Sequence, residues 1–475
     1  MKQTTNKNFF GTLTCCFLFL VVCLINTSCK KDSFITSGDA AISTSVDSLK
    51  YDTVFTSIGS VTQSFKINNL NNQKLLLSKV KLMGGNTSSF KININGYGSA
   101  EINDIEIAAE DSIYIFVTVN INPNTANLPF IVRDSIQIMY NGNERFVQLE
   151  AFGQNANFLR NRKITSNTAW ANNLPYVILG SLLVDTGVAL TIDPGCRIYS
   201  HANAPIIIDG SLTTNGTKNE PVIFTGDRLD DDYKDYPASW PGIYFRGSSQ
   251  SNILNFTSVK NAYQALVAEQ PAANSTPKLL LQQCIIDNAY DVGIYCVNSS
   301  LTANNCLITN CGSNIRLIYG GAYSFKNCTV AAYATFIEHK NPVLSVNNFA
   351  SVNGVVFTDD LDATFTNCIF WAESAADADE VSVGKQGNGI FKVTFDHCLY
   401  KATTDPANAI LTATIKNQDP LFDSIDVSKR YFDFHITQNL AAPGIDKGIS
   451  TLLTTDLDGN LRNIGLPDLG CYEKQ

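Results

Sequence analysis

With 475 residues, 44% of them hydrophobic, the chain has material for two or three domains rather than one. Charged residues make up only 16%, the net charge is −9, and no Lys/Arg cluster interleaved with aromatics occurs, which argues against nucleic acid as a partner. The low charge and the abundance of Asn, Ser and Thr suit an all-β protein that works outside the cytoplasm.

The first element is an apolar stretch from Phe9 to Ile25, preceded by Lys2 and Lys7 and ending in Asn26-Thr27-Ser28-Cys29. Its length fits a signal segment better than a bilayer span. Residues 1–28 resemble a bacterial lipoprotein signal, with a departure at Asn26, where the stricter pattern has Leu. The resemblance implies lipidation at Cys29, a membrane partner through that lipid, and a place in the cell envelope at the outer membrane, on its periplasmic face or at the cell surface. Ordinary secretion and a retained anchor are the alternatives. Residues 29–48 read as a polar tether.

From 49 to 155 the pattern becomes strict alternation, as in Ser64-Phe65-Lys66-Ile67-Asn68, Lys91-Ile92-Asn93-Ile94-Asn95 and Ile136-Gln137-Ile138-Met139-Tyr140, with Asn-rich turns between. This predicts an antiparallel β-sandwich of immunoglobulin-like type, without that fold's Cys…Trp…Cys signature. The stretch also resembles the small sandwich module that precedes β-helices in Gram-negative surface lipoproteins, at Asp52-Thr53-Val54-Phe55 and Asn127-Leu128-Pro129-Phe130-Ile131-Val132.

After a polar linker carrying Arg160, Arg162 and Lys163, residues 165–415 hold short apolar strands closed by Gly or Pro-Gly, such as Leu190-Thr191-Ile192-Asp193-Pro194-Gly195. A polar residue followed by cysteine and an apolar run then recurs at Cys284, Cys306, Cys328, Cys368 and Cys398, the first two intervals being 22 residues. A fixed period of this length without helical patterning predicts a parallel β-solenoid whose equivalent positions stack in columns. These segments resemble right-handed parallel β-helix proteins of the pectin-lyase-like superfamily. Spacing puts Phe349 where another Cys would stand, and reads Glu269–Lys278 and Ala372–Glu380 as projecting loops. Asn305, Asn327 and Asn367 form the adjoining column, expected to hydrogen-bond along the ladder and to the coil corners. The nine cysteines beyond Cys29 read as buried fillers rather than a disulfide framework or a zinc site.

Residues 416–475 end the chain with Asp419-Pro420-Leu421-Phe422, Ala442-Pro443-Gly444-Ile445-Asp446-Lys447-Gly448, Asp456-Leu457-Asp458-Gly459-Asn460-Leu461-Arg462 and Asp468-Leu469-Gly470-Cys471-Tyr472-Glu473. Together they resemble the terminal module called choice-of-anchor Q, found on β-helix lipoproteins. Within it, Asp456, Asp458 and Asn460 match part of a calcium loop but lack its third acidic step and final Glu. A capping role with Arg462 paired to a carboxylate is the competing reading. No other cofactor is expected.

Catalysis on a β-helix needs carboxylates and a base from neighbouring coils on one face. Counting ten residues past the cysteine column brings Arg316, Glu338 and Asp359 into one stripe, with His339, Lys340, Asp360, Asp362, Asp377 and Asp379 near. Such a stripe is either an acid/base or calcium site or a solvated, salt-bridged turn. Asp230, Asp231, Asp232 and Asp235 read as a solvated loop. The reading that follows is a lipid-anchored envelope protein that binds glycan or another envelope component without catalysis. A polysaccharide lyase or hydrolase acting from the β-helix face, and a purely structural surface protein, are the alternatives.

Overall fold

Alternating polar and apolar side chains build the first part of the chain. In Gln63–Asn69 and Ser112–Val119 every second residue is buried, so each strand turns one face to a core and the other to water. The computed structural model describes residues 33–474 except 56–58, 123–129, 232, 334–335, 340, 374–378, 438–440 and 463–464. Cys29 and the signal segment, Asn127-Leu128-Pro129, Lys340 and Asp377 lie outside the described residues. The chain divides into two compact units between Gln154 and Asn155.

The first unit is a β-sandwich of two five-stranded sheets. One runs Ile42–Thr44, Gln63–Asn69, Ser112–Val119, Phe90–Ile94, Tyr97–Gly98; the other runs Ser48–Phe55, Asn143–Gln154, Phe130–Tyr140, Leu75–Leu82, Glu101–Ile107. Neighbours are antiparallel except Ser48–Phe55, which lies parallel to Asn143–Gln154. Phe65, Ile115 and Val117 from one sheet and Leu77, Val80, Ile136 and Ile138 from the other are each no more than 1% exposed and share one core. The sandwich starts inside the stretch expected to be a tether, because Ile42–Thr44 pairs with the strand ending at Asn69. Three residues are too few for alternation to show in a sequence.

The second unit is a parallel β-helix. Its first strand, Asn157–Ile164, contains Arg160, Arg162 and Lys163 and pairs with Tyr176–Val184, so these residues belong to a coil and not to a linker. Each coil has three sides. Ile285, Leu307, Thr329, Ile369, Leu399 and Ile415 stack along one, Leu301, Tyr323, Ala363 and Val393 along another, and Ile294, Ile315, Leu344 and Val381 along the third. The interior is close-packed; Phe325, Phe365 and Phe395 stack with ring centroids 5.3 and 4.9 Å apart, and Phe370 meets Phe365 edge-on.

The corner that repeats has a backbone cause. Gln283, Asn305, Asn327, Asn367 and His397 all sit at φ between 50° and 54°, the left-handed region that Asn tolerates better than most residues. The cysteine that follows turns inward. Cys284, Cys306, Cys328, Cys368 and Cys398 are fully buried and reduced, and the Sγ atoms of Cys328, Cys368 and Cys398 donate to carbonyls of the preceding coil at 3.3–3.6 Å. Burial raises the thiol pKa of Cys306, Cys328 and Cys368, which suits a filler and opposes a nucleophile.

Phe349 is not a member of that column. Phe349–Val352 pairs antiparallel with Val355–Thr358 around Asn353 and Gly354, at φ 51° and 79°, the two positive values a tight hairpin turn needs. The coil runs from Cys328 to Cys368 without an intermediate rung, since Thr329 pairs directly with Ile369. An apolar hairpin inserted after Asn348 mimics a rung in spacing alone.

The Asn side chains also differ from expectation: they reach sideways into the C-terminal module. Asn305 donates to the Thr455 carbonyl at 2.8 Å, Asn367 exchanges bonds with the Ile449 backbone at 2.7 and 3.0 Å, and Asn327 accepts from Thr451 Oγ1 at 2.7 Å. Beside them, Leu307, Ala331, Ile369 and Leu399 on the outer face of one side pack against Phe434, Ile436, Ala442, Leu457 and Leu469. Arg462, 4% exposed, ties the arrangement together, with Nη1 3.0 Å from Glu473, Nη2 2.8 Å from Asn305 Oδ1 and 3.0 Å from the Gly470 carbonyl.

Burial pushes the Glu473 carboxyl up to about 7 and raises Asp468 as well, and repulsion from the Asp468 carboxylate adds to the rise at Glu473. A carboxyl whose pKa is higher folded than unfolded binds its proton more tightly when folded, so its contribution is complete at low pH and declines as pH rises from about 4.5 towards 7. Thermal melts of the protein between pH 5 and 8 should show this decline, and Glu473→Gln should flatten it.

Candidate functional site

The strands Ile243–Phe245, Gln264–Glu269, Val292–Asn304 and Ile315–Lys326 lie one above another on one side of the helix. Alternation sends Ile243, Leu266, Ile294 and Ile315 into the core and turns Tyr244, Val267, Tyr295 and Arg316 outward in a single register column, continued by Ser345. The corner leading into this side repeats as Asn261-Ala262-Tyr263-Gln264 and Asn288-Ala289-Tyr290-Asp291. Asn261 and Asn288 adopt φ 61° and 58°, and the alanines are fully buried. Tyr290 N donates to the Ala262 carbonyl and Asp291 N to the Tyr263 carbonyl, both at 2.9 Å.

The two tyrosines therefore stand side by side in solvent. Their centroids are 5.8 Å apart with planes at 22°, and they are 45% and 52% exposed. Below them Asp291 is held from two sides, by Gln264 Nε2 at 2.8 Å on Oδ2 and Arg316 Nη1 at 3.2 Å on Oδ1. Burial raises the phenol pKa of Tyr244 and Tyr295, so both are neutral hydrogen-bonding groups at neutral pH. The face thus joins exposed aromatic surface to a fixed amide, carboxylate and guanidinium.

Of the stripe expected from the sequence, only Arg316 belongs to this face. Its register partner on the next coil is Ser345 and the one beyond is Ser382, not Glu338 or Asp359. Glu338 is exposed in the segment before Pro342, and Asp359 accepts from Asn298 Nδ2 at 2.7 Å after the inserted hairpin. Unequal coil lengths break the ten-residue count. His339 turns inward to Glu380 at 2.8 Å, with both side chains buried; Asp360 accepts from Ile390 N, Asp362 lies 3.7 Å from Lys392, and Asp379 accepts from Thr403. Arg228 holds Asp230, and Lys234 pairs with Asp231.

The calcium-loop pattern folds as a hydrogen-bonded turn in the C-terminal module, which lies along one side of the coils rather than over their end. Asp456 is fully buried and accepts from the Asn460 backbone at 2.7 Å, the Asn460 amide at 3.2 Å and Glu473 N at 2.9 Å. Asp458 faces His435 at 3.0 Å and Lys218 at 3.4 Å. Among the described residues no group of three or more His, Cys, Asp or Glu side chains is placed to hold a metal ion.

Residues 162–270, which lead into the tyrosine face, match the family model of a pectate-lyase-like beta helix domain. That segment is part of the parallel β-helix. No curated protein matches the chain. Among solved structures, a thermostable GH87 α-1,3-glucanase catalytic unit from Streptomyces thermodiastaticus aligns over 78% of this chain and 91% of its own, with 10% identity and a TM-score of 0.23. A family 123 glycoside hydrolase from Clostridium perfringens covers 24% of this chain at 8% identity and TM-score 0.18. A DNA-bound alkylpurine DNA glycosylase from Pseudomonas fluorescens covers 24% at 13% identity and TM-score 0.16. The matched part spans only 26% and 31% of the last two proteins.

Proposed function

We propose that this is a lipid-anchored cell-envelope protein that binds glycan, without cleaving it, on the β-helix face formed by Tyr263, Tyr290, Asp291 and Arg316. The anchor is Cys29, the first unit is an immunoglobulin-like spacer, and the C-terminal residues are a module of choice-of-anchor Q type laid along one side of the coils. The observation that carries the glycan reading is the exposed tyrosine pair beside the tethered Asp291. A sugar ring presents an apolar C–H face and a hydroxyl rim; stacked phenols suit the first, while a carboxylate, guanidinium and amide held in place suit the second. Tyr and Arg are also the side chains that concentrate binding energy at exposed recognition surfaces.

Affinity electrophoresis through gels containing individual polysaccharides tests this. Tyr263→Ala with Tyr290→Ala should weaken retention by about tenfold or more, equivalent to about 1.4 kcal/mol, with an unchanged thermal midpoint because both rings are exposed. Retention equal to that of the parent chain on every polymer that retains it would refute the assignment of this face.

A further inference from the structure

Around the corner from the tyrosine face lies a cleft of about 380 Å³, with one wall from the coils and the other from the turn Ser428–Arg430 and Phe336. The coil wall is built by register, which stacks Lys260, Asp287 and Thr309. Asp287 Oδ1 accepts from Thr309 Oγ1 at 2.9 Å and Asn310 Nδ2 at 3.3 Å. Asn288, 8% exposed, is fixed by donating to the Asp235 carbonyl and to Asn261 Oδ1, both at 2.8 Å, while its own Oδ1 has no partner among the described residues. Opposite, the Arg430 guanidinium lies 3.6 Å from the centroid of Phe336, a stacking that fixes its plane.

The charge of this lining is the reverse of the chain's. Three cations, Lys260, Lys429 and Arg430, outnumber the carboxylates of Asp235 and Asp287, on a protein of net charge −9. Lys429 lies 3.1 Å from Asp426, but Lys260 has no carboxylate within ion-pair range among the described residues. A bare anion would satisfy the cations and meet repulsion from the two carboxylates. A molecule carrying one anionic group and several hydroxyls satisfies both, its hydroxyls donating to Asp287 and Asp235. We infer that this cleft is a second binding site, separate from the tyrosine face, for a sugar unit bearing a phosphate or carboxylate group. Its volume fits one or two sugar rings.

Titration calorimetry of the full chain with a hexose phosphate, a hexuronate, the uncharged hexose and inorganic phosphate tests this, and separates the two sources of negative charge. At least one of the charged sugars should bind about tenfold or more tightly than the uncharged hexose and inorganic phosphate. Lys260→Ala and Arg430→Ala, both exposed positions, should each weaken that binding by about tenfold, whereas Tyr263→Ala should leave it unchanged. Raising salt should weaken it as well. No binding of any charged sugar, equal binding of the uncharged hexose or of inorganic phosphate, or indifference to both substitutions would overturn the proposal.

Discussion

Arg462→Ala is expected to destabilise the second unit by about 3–5 kcal/mol, read as a lower denaturation midpoint, because it strips a buried carboxylate of its cation. Arg462 and Glu473 side chains are each 2% exposed and 3.0 Å apart. The same guanidinium supplies both hydrogen bonds to Asn305 Oδ1, so its loss also leaves a coil corner with an unsatisfied acceptor. Arg462→Lys keeps the charge without the fork and should fall between the two. A loss below about 1 kcal/mol would show that the module is held by its apolar contacts alone.

Phe365→Ala should cost a similar amount, about 3–5 kcal/mol, for a different reason. The ring is fully buried between Phe325 and Phe395 and touches Phe370 edge-on. Coils above and below are fixed by parallel hydrogen-bonded sides, so neither can collapse into the void. Urea denaturation followed by intrinsic fluorescence measures the effect. Phe365→Leu, which leaves a smaller gap, should recover part of it; equal losses for the two would show that the void is not the cause.

The coil architecture was legible because one local event recurs: a left-handed Asn, an inward Cys and a short apolar strand. Period alone could not separate a coil from an inserted hairpin, and Phe349 followed the hairpin. The Asn column was visible, but its partners were not, since the Asn305 to Thr455 bond spans 150 residues. Glu338 and Asp359 were drawn to Arg316 by counting along coils of assumed equal length, an assumption that fails wherever a loop is inserted. The tyrosine face has its own sequence signal, the tetrapeptide Asn-Ala-Tyr followed by Gln or Asp at 261–264 and 288–291. Two copies 27 residues apart lie off the 22-residue spacing of the cysteines, which masked a second repeat in the same coils.

Binding of glycan without cleavage is open to a direct test. Incubation of the full chain with a panel of polysaccharides, read at once for polymer retained by the protein and for new reducing or unsaturated ends, tests it most directly. Retention of at least one polymer with no new ends is expected. New ends that accumulate with time, and vanish in Asp291→Asn or Arg316→Ala, would contradict it and make this face an active site.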